Sequence, residues 1–117
     1  MELELIKEIE NELTVKVSGR LDTTTAPELE EALLDEIGSI EKLTLDLSDL
    51  EYISSAGLRV LLSAQKIMMK KGEMILTNVT PSVMEVLEMT GFADILTIEE
   101  TEEKDEEDEE DKDDEEE

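Results

Sequence analysis

The stretch Leu43–Lys71 constrains the fold most, because its periodicity changes from that of a strand to that of a helix. Leucines alternate with polar residues over 43–47, which is typical of a half-buried strand. The polar residues Ser48–Glu51 then predict a turn. Apolar residues recur with helical spacing over Ala56–Met69, and two lysines and a glycine follow, which predicts a helix over 56–71.

Two hydroxyl groups lie where this strand is followed by the helix. Ser54 and Ser55 come directly before Ala56, and serine at that point favours a helix N-cap. The first turn of a helix offers unpaired N–H groups and the positive end of the dipole, so a phosphate is favoured there. The residues leave two interpretations open: a cap with no other role, or a phosphoacceptor whose modification adds about −1.5 to −2 charges.

The composition excludes several kinds of site. The chain has 117 residues, which suggests one domain, and it contains neither cysteine nor histidine. Disulfides, thiolate or imidazole metal sites and catalysis by cysteine or histidine are therefore excluded. Phosphate-loop, dinucleotide-binding and nucleophile-elbow motifs do not occur either. The sequence thus predicts a protein that is not an enzyme and has no catalytic residue, cofactor or metal site.

The net charge of −25 is spread unevenly. Residues 102–117 hold fourteen acidic residues, two lysines and no apolar side chain, which predicts a disordered acidic tail. Such a chain repels nucleic acid and anionic membrane surfaces. No signal peptide is recognisable, and no apolar run approaches the ~20 residues of a membrane span. We therefore expect a cytoplasmic protein without membrane insertion, whose partner presents a basic surface.

The rest of the chain predicts further strands and helices. Because strand–helix–strand units require parallel pairing, and because the strands alternate, we predict an α/β single domain with a mixed open sheet. Its helices pack on one face, and the order is β-β-α-β-α-β-α-β. The other predicted elements are a hairpin around Asn11, a helix from a Thr25–Glu28 capping box to Gly38, a strand at Met74–Thr77, a helix from Pro81 to Gly91 and a last strand over 95–98.

Several short motifs occur along this element order. They are Gly19–Asp22, Ala26–Leu29, Asp46–Ser48 and Tyr52–Leu58. Together they resemble the STAS domain, the family of the bacterial anti-sigma factor antagonists and of related domains in sulphate transporters. The resemblance covers about Glu2–Ile98, so it implies a STAS-like domain over 1–101, followed by the tail.

The resemblance implies a phosphorylation switch in sigma-factor-dependent transcription. The unphosphorylated protein binds an anti-sigma factor that is also a serine kinase, phosphorylation releases it, and a PP2C-type phosphatase restores it. Alignment on Gly57 and Leu58 implies Ser55 as the phosphoacceptor. Ser54, where the family often has aspartate, is the alternative. A second function also fits the family: a STAS subunit that is never phosphorylated and docks on a transporter ATPase or another signalling complex.

We predict that the docking face surrounds this serine, because strand exits in open α/β sheets tend to lie together at one edge. Each residue concerned also has a plain interpretation as a turn, cap or surface residue. The predicted partner-binding residues are Asp22, Thr23, Thr24, Ser54, Ala56, Gly57, Arg59 and Asn78.

Overall fold

A computed structural model describes residues 1–99, apart from the side chains of residues 8 and 9. The predicted acidic tail, residues 102–117, lies outside the described residues. The elements within this part of the chain are β1 (Glu2–Ile9), β2 (Glu12–Leu21), α1 (Ala26–Ile37), β3 (Lys42–Ile53), α2 (Ser55–Met69), β4 (Glu73–Thr77), α3 (Pro81–Thr90), a 3-10 turn (Phe92–Asp94) and β5 (Ile98–Glu99).

The five strands form one sheet in chain order, β1-β2-β3-β4-β5. β1 pairs with β2 as an antiparallel hairpin, and the other neighbours are parallel. Each helix therefore connects adjacent parallel strands in the same direction across the sheet. Since such crossovers are right-handed, all three helices lie on one face. The predicted mixed sheet with helices on one face is confirmed.

The core lies between the sheet and its helices. Along β2 and β3 the side chains alternate between buried and partly exposed. In α1 the buried residues recur every three or four positions, as in an amphipathic helix. Within residues 1–99, no helix combines the length and hydropathy that crossing a bilayer requires. Fully buried side chains from each layer include Val15, Leu29, Leu45, Leu61 and Leu76.

The predicted turn at Ser48–Glu51 is wrong, because β3 continues as a strand to Ile53. β2 remains paired with it, from Ser18 opposite Asp49 to Leu21 opposite Ile53, and two register shifts each absorb one extra residue of β3. Ser48–Glu51 is polar because it belongs to an irregular and mostly exposed part of the strand. Because β2 and β3 end together, the first residue of α2 lies beside the loop that follows β2.

The helix ends agree only partly with the sequence signals. α3 ends at Gly91, whose φ of 84° places it in the left-handed region, as predicted for a C-terminal glycine. The capping box at α1 is wrong, since the side chain of Thr25 makes no cap hydrogen bond to the helix. The last strand is β5, Ile98–Glu99, rather than 95–98, because a 3-10 turn occupies the chain immediately before Ile95.

Candidate phosphorylation and docking site

The two serines at the start of α2 have different environments. Ser54 is the N-cap in extended conformation, is partly buried, and its Oγ accepts a hydrogen bond of 3.4 Å from the Gly57 N–H. Ser55 is the first helical residue and is exposed. Within residues 1–99, no hydrogen bond involves the Ser55 hydroxyl. The cap therefore uses Ser54 and leaves Ser55 accessible at the positive end of the helix.

The first turn of α2 is held tightly against the ends of β2 and β3. The Ser54 N–H donates to the Leu21 carbonyl oxygen at 2.9 Å. Gly57 is buried, and a Cβ atom there would lie 2.8 Å from Leu21 Cγ and 2.9 Å from Ile53 Cγ1. Only a glycine allows this approach, so Gly57 positions the helix start. Its predicted contact with a partner stays a prediction.

The loop after β2 is closed by side-chain hydrogen bonds. Asp22 Oδ1 accepts from the Thr24 hydroxyl at 2.8 Å and from the Thr24 and Thr25 N–H groups at 3.1 and 3.2 Å. The Thr25 Oγ accepts from the Asp22 N–H at 2.8 Å and donates to the Arg20 carbonyl at 2.8 Å. Thr25 is thus used in this loop, which explains why it does not cap α1.

The same hydrogen bonds favour the ionised form of Asp22. The Thr24 hydroxyl is the main cause that lowers the pKa of Asp22, and the backbone and hydroxyl of Thr25 add to it. Asp22 is therefore ionised at neutral pH. This fixed carboxylate belongs to the loop that adjoins the start of α2, because the Ser54 N–H bonds to Leu21 immediately before it.

A groove of about 300 Å³ between α1 and α2 adjoins the serines. We call it the α1–α2 groove. Three predicted docking residues, Thr23, Ala56 and Arg59, line it. Within the described residues, no three acidic side chains lie close enough to hold a metal ion. The other lining residues are Ala26, Pro27, Glu30, Val60 and Ser63.

Asn78 is not brought together with the serines. β4 ends at Thr77, opposite Asp46, whereas β3 continues for seven more residues to Ile53. That distance is roughly 20 Å along an extended strand. The expectation that these strand exits share one edge is therefore wrong for Asn78, because β4 is much shorter than β3. Its partner contact stays a prediction, at a position separate from Ser55.

Asn78 instead forms a hydrogen bond with Asp46 on the neighbouring strand β3. Its Nδ2 donates to Asp46 Oδ1 at 3.2 Å, and the Ser48 N–H donates to the same oxygen at 3.0 Å. Burial opposes ionisation of Asp46, but these hydrogen bonds outweigh it and lower its pKa. Asn78 also has a φ of 55°, a conformation that asparagine tolerates better than most residues. These contacts and this backbone conformation are those of a turn residue that ends β4 beside β3.

Sequence reasoning missed one exposed pair beside the serines. Arg20 and Tyr52 are opposite each other on β2 and β3, and the guanidinium carbon lies 4.3 Å from the centre of the ring. Tyr52 is 39% exposed. Arginine and tyrosine are enriched among the residues that dominate binding energy. No local signal could find the pair, because it depends on the register of two distant strands.

Known proteins resemble this chain in sequence and in fold. It is 38% identical over 92 residues to the candidate anti-sigma factor antagonist BtrV of Bordetella bronchiseptica, covering 77% of this chain and 79% of that protein. It is 31% identical over 94 residues to the anti-sigma-B factor antagonist of Bacillus subtilis, covering 80% and 86%. This chain also superposes on the structure of the anti-sigma factor antagonist SpoIIAA in its unphosphorylated form, with a TM-score of 0.74 and 18% identity. The match covers 87% of this chain and 91% of the SpoIIAA chain, so the two proteins share a fold. The sequence pattern of the STAS domain matches residues 4–104, and the chain therefore belongs to the STAS domain family.

Proposed function

We propose that this chain is an anti-sigma factor antagonist controlled by phosphorylation of Ser55. The unphosphorylated protein binds an anti-sigma factor that is also a serine kinase, and so regulates sigma-factor-dependent transcription in the cytoplasm. Phosphorylation of Ser55 releases it, and a PP2C-type phosphatase reverses the modification. The observation that carries the proposal is the exposed Ser55 at the start of α2, beside a Ser54 whose oxygen already serves as the cap. The names of the two relatives, each more than 30% identical, support the general role.

The start of α2 accommodates a phosphate without unfolding. A phosphate on Ser55 meets the unpaired N–H groups and the positive dipole end of the helix. The packing of Gly57 against Leu21 and Ile53 lies beneath this position and does not involve the Ser55 hydroxyl. The phosphorylated form of SpoIIAA also has this fold, with a TM-score of 0.68 to this chain. The modification therefore changes the surface rather than the scaffold.

The added charge weakens docking for an electrostatic reason. A phosphate adds about −1.5 to −2 charges next to a loop that already carries the ionised Asp22. Arg59, one turn along α2, offsets only one of these negative charges. A partner surface that complements the free Ser55 hydroxyl then meets repulsion and lost fit.

Labelling with the purified cognate anti-sigma factor kinase and ATP tests the proposed site. We expect one phosphate on the wild-type chain by mass spectrometry, none on Ser55→Ala, and one on the matched control Ser54→Ala. Full labelling of Ser55→Ala with loss in Ser54→Ala would move the site to Ser54. A wild-type chain that takes up no phosphate would contradict the switch and favour a docking subunit that is never phosphorylated.

Calorimetry tests the consequence of the modification. We expect Ser55→Asp to bind the kinase more weakly than wild type, by tenfold or about 1.4 kcal/mol. Met89→Asp is the control, because it adds the same charge at an exposed position on α3, outside the α1–α2 groove. Equal affinity of Ser55→Asp and wild type would count against release by charge.

A further inference from the structure

Beyond the predicted docking residues, the α1–α2 groove narrows to a shallow apolar depression of about 20 Å³. Its two parts share Glu30, Val60 and Ser63, so the groove is continuous. At the far end the side chains of Leu34 and Ile67 face the same depression and are 55% and 36% exposed. Isolated exposed leucines are ordinary, but apolar side chains that share one groove indicate a contact surface.

The residues that line the apolar end come from one face of each helix. α1 contributes positions 30, 33, 34 and 37, and α2 contributes 60, 63, 64 and 67. Both sets follow the i, i+3, i+4, i+7 spacing of one helical face, and their exposed members are Glu30, Leu34, Ser63 and Ile67. Ser63 is small and exposed, so a third helix can approach the α2 side of the groove closely. A helix over the groove would pack against α1 and α2 together.

The charges of the two helices bordering the groove are opposite. Every charged side chain of α1 is acidic, and Glu28, Glu30, Glu31 and Asp35 are exposed. Along α2 the exposed charged residues are the bases Arg59 and Lys66. None of the ion pairs formed within residues 1–99 joins α1 to α2. Both rows of charge therefore remain available to a partner.

Neither residues 102–117 nor a second copy fits the groove well. Residues 102–117 contain no apolar side chain, so they cannot cover Leu34 and Ile67. A second copy brings a net charge of −25 against a chain of the same charge, which opposes self-association. A partner that has apolar residues to cover Leu34 and Ile67 and basic residues facing α1 avoids both the lack of apolar side chains and the charge repulsion.

We propose that the α1–α2 groove is the docking site for one amphipathic helix of the anti-sigma factor, an inference that rests on the proposed function. The apolar stripe of that helix covers Leu34 and Ile67, and its basic flank faces the carboxylates of α1. Because the groove is continuous with Thr23, Ala56 and Arg59, this helix and the Ser55 site belong to one interface. The helix supplies affinity, and Ser55 controls it.

The test compares the affinity of the purified anti-sigma factor kinase for matched variants by calorimetry. We expect the double variant Leu34→Ser, Ile67→Ser to bind at least about fivefold more weakly than wild type, which corresponds to about 1 kcal/mol. Met89→Ser on α3, 79% exposed, and Leu5→Ser on β1, 43% exposed, are the controls and should bind as wild type. Glu30→Lys should also weaken binding, more at low than at high salt. Circular dichroism should show that each variant is folded.

The outcomes separate this inference from the proposed function. If Ser55 is phosphorylated and the wild type binds, but the double variant binds equally well, the groove proposal is wrong and the switch stands. If the wild type forms a dimer in sedimentation that the double variant loses, the occupant is a second copy and the proposal is wrong. If the kinase neither binds nor phosphorylates the wild type, both fail. Hydrogen-exchange protection of α1 and α2 in the complex, lost in the double variant, would support it.

Discussion

Substitution of Gly57 by alanine tests whether close packing positions the start of α2. The new Cβ would lie 2.8 Å from Leu21 Cγ, 2.9 Å from Ile53 Cγ1 and 3.0 Å from Leu21 Cδ2. Both neighbours are buried, Leu21 completely, so neither side chain moves away freely. The first turn of α2 must therefore shift outward, or the ends of β2 and β3 must move.

The expected loss of stability follows from two opposing effects. Overpacking a buried site costs about 1–3 kcal/mol. Replacing a helical glycine by alanine returns about 1 kcal/mol. We therefore expect Gly57→Ala to lower the free energy of unfolding by about 1 kcal/mol, with an upper limit of about 2. For a domain of this size, 1 kcal/mol corresponds to a fall in Tm of about 4–8 °C.

Gly38→Ala is the matched control. Gly38 follows α1 with an ordinary helical φ of −70°, and a Cβ there meets nothing within 4 Å. Alanine at such a site raises stability by about 0.4–1 kcal/mol, mainly by restricting the unfolded chain. Urea and thermal unfolding should therefore shift the two variants in opposite directions. If Gly57→Ala were as stable as Gly38→Ala, the close-packing explanation would be refuted.

Three further predictions concern the loop after β2 and the turn after β4. The lowered pKa of Asp22 stabilises the folded state fully above its ordinary value of 3.8, and this contribution is lost as the pH falls through the lowered value. The difference in urea stability between wild type and Asp22→Asn should therefore be constant at neutral pH and shrink below about pH 4; a difference that grows on acidification would contradict this. Thr25→Val should lower the free energy of unfolding in urea by about 1–2 kcal/mol, because the Asp22 N–H and the Arg20 carbonyl lose their partner. The control Thr23→Val, at an exposed position, should stay within about 0.5 kcal/mol of wild type. Asn78→Ala should lower stability by about 1–2 kcal/mol, since alanine is strained at a φ of 55° and loses the bond to Asp46. Calorimetry with the kinase tests the predicted partner contact of Asn78: a loss of affinity would support it, and wild-type affinity would remove Asn78 from the docking face.

The sequence by itself determined the elements and their order. Alternating leucines identify strands, residues spaced three or four apart identify helices, and serine, proline and glycine mark their ends. These signals act within one turn or between neighbouring residues, so they are legible without knowledge of the fold. For the same reason the sequence located Ser55 at the start of α2, where the structure finds it exposed.

Only the tertiary structure decided how far each strand extends and what therefore lies near Ser55. β3 continues through Ser48–Glu51 because β2 pairs with it, although its local composition is typical of a turn. The short β4 places Asn78 beside Asp46, and the β2–β3 register brings Arg20 over Tyr52. The α1–α2 groove likewise arises from residues about thirty positions apart. Pairing between distant segments sets register and relative length, and no local pattern along the chain encodes either.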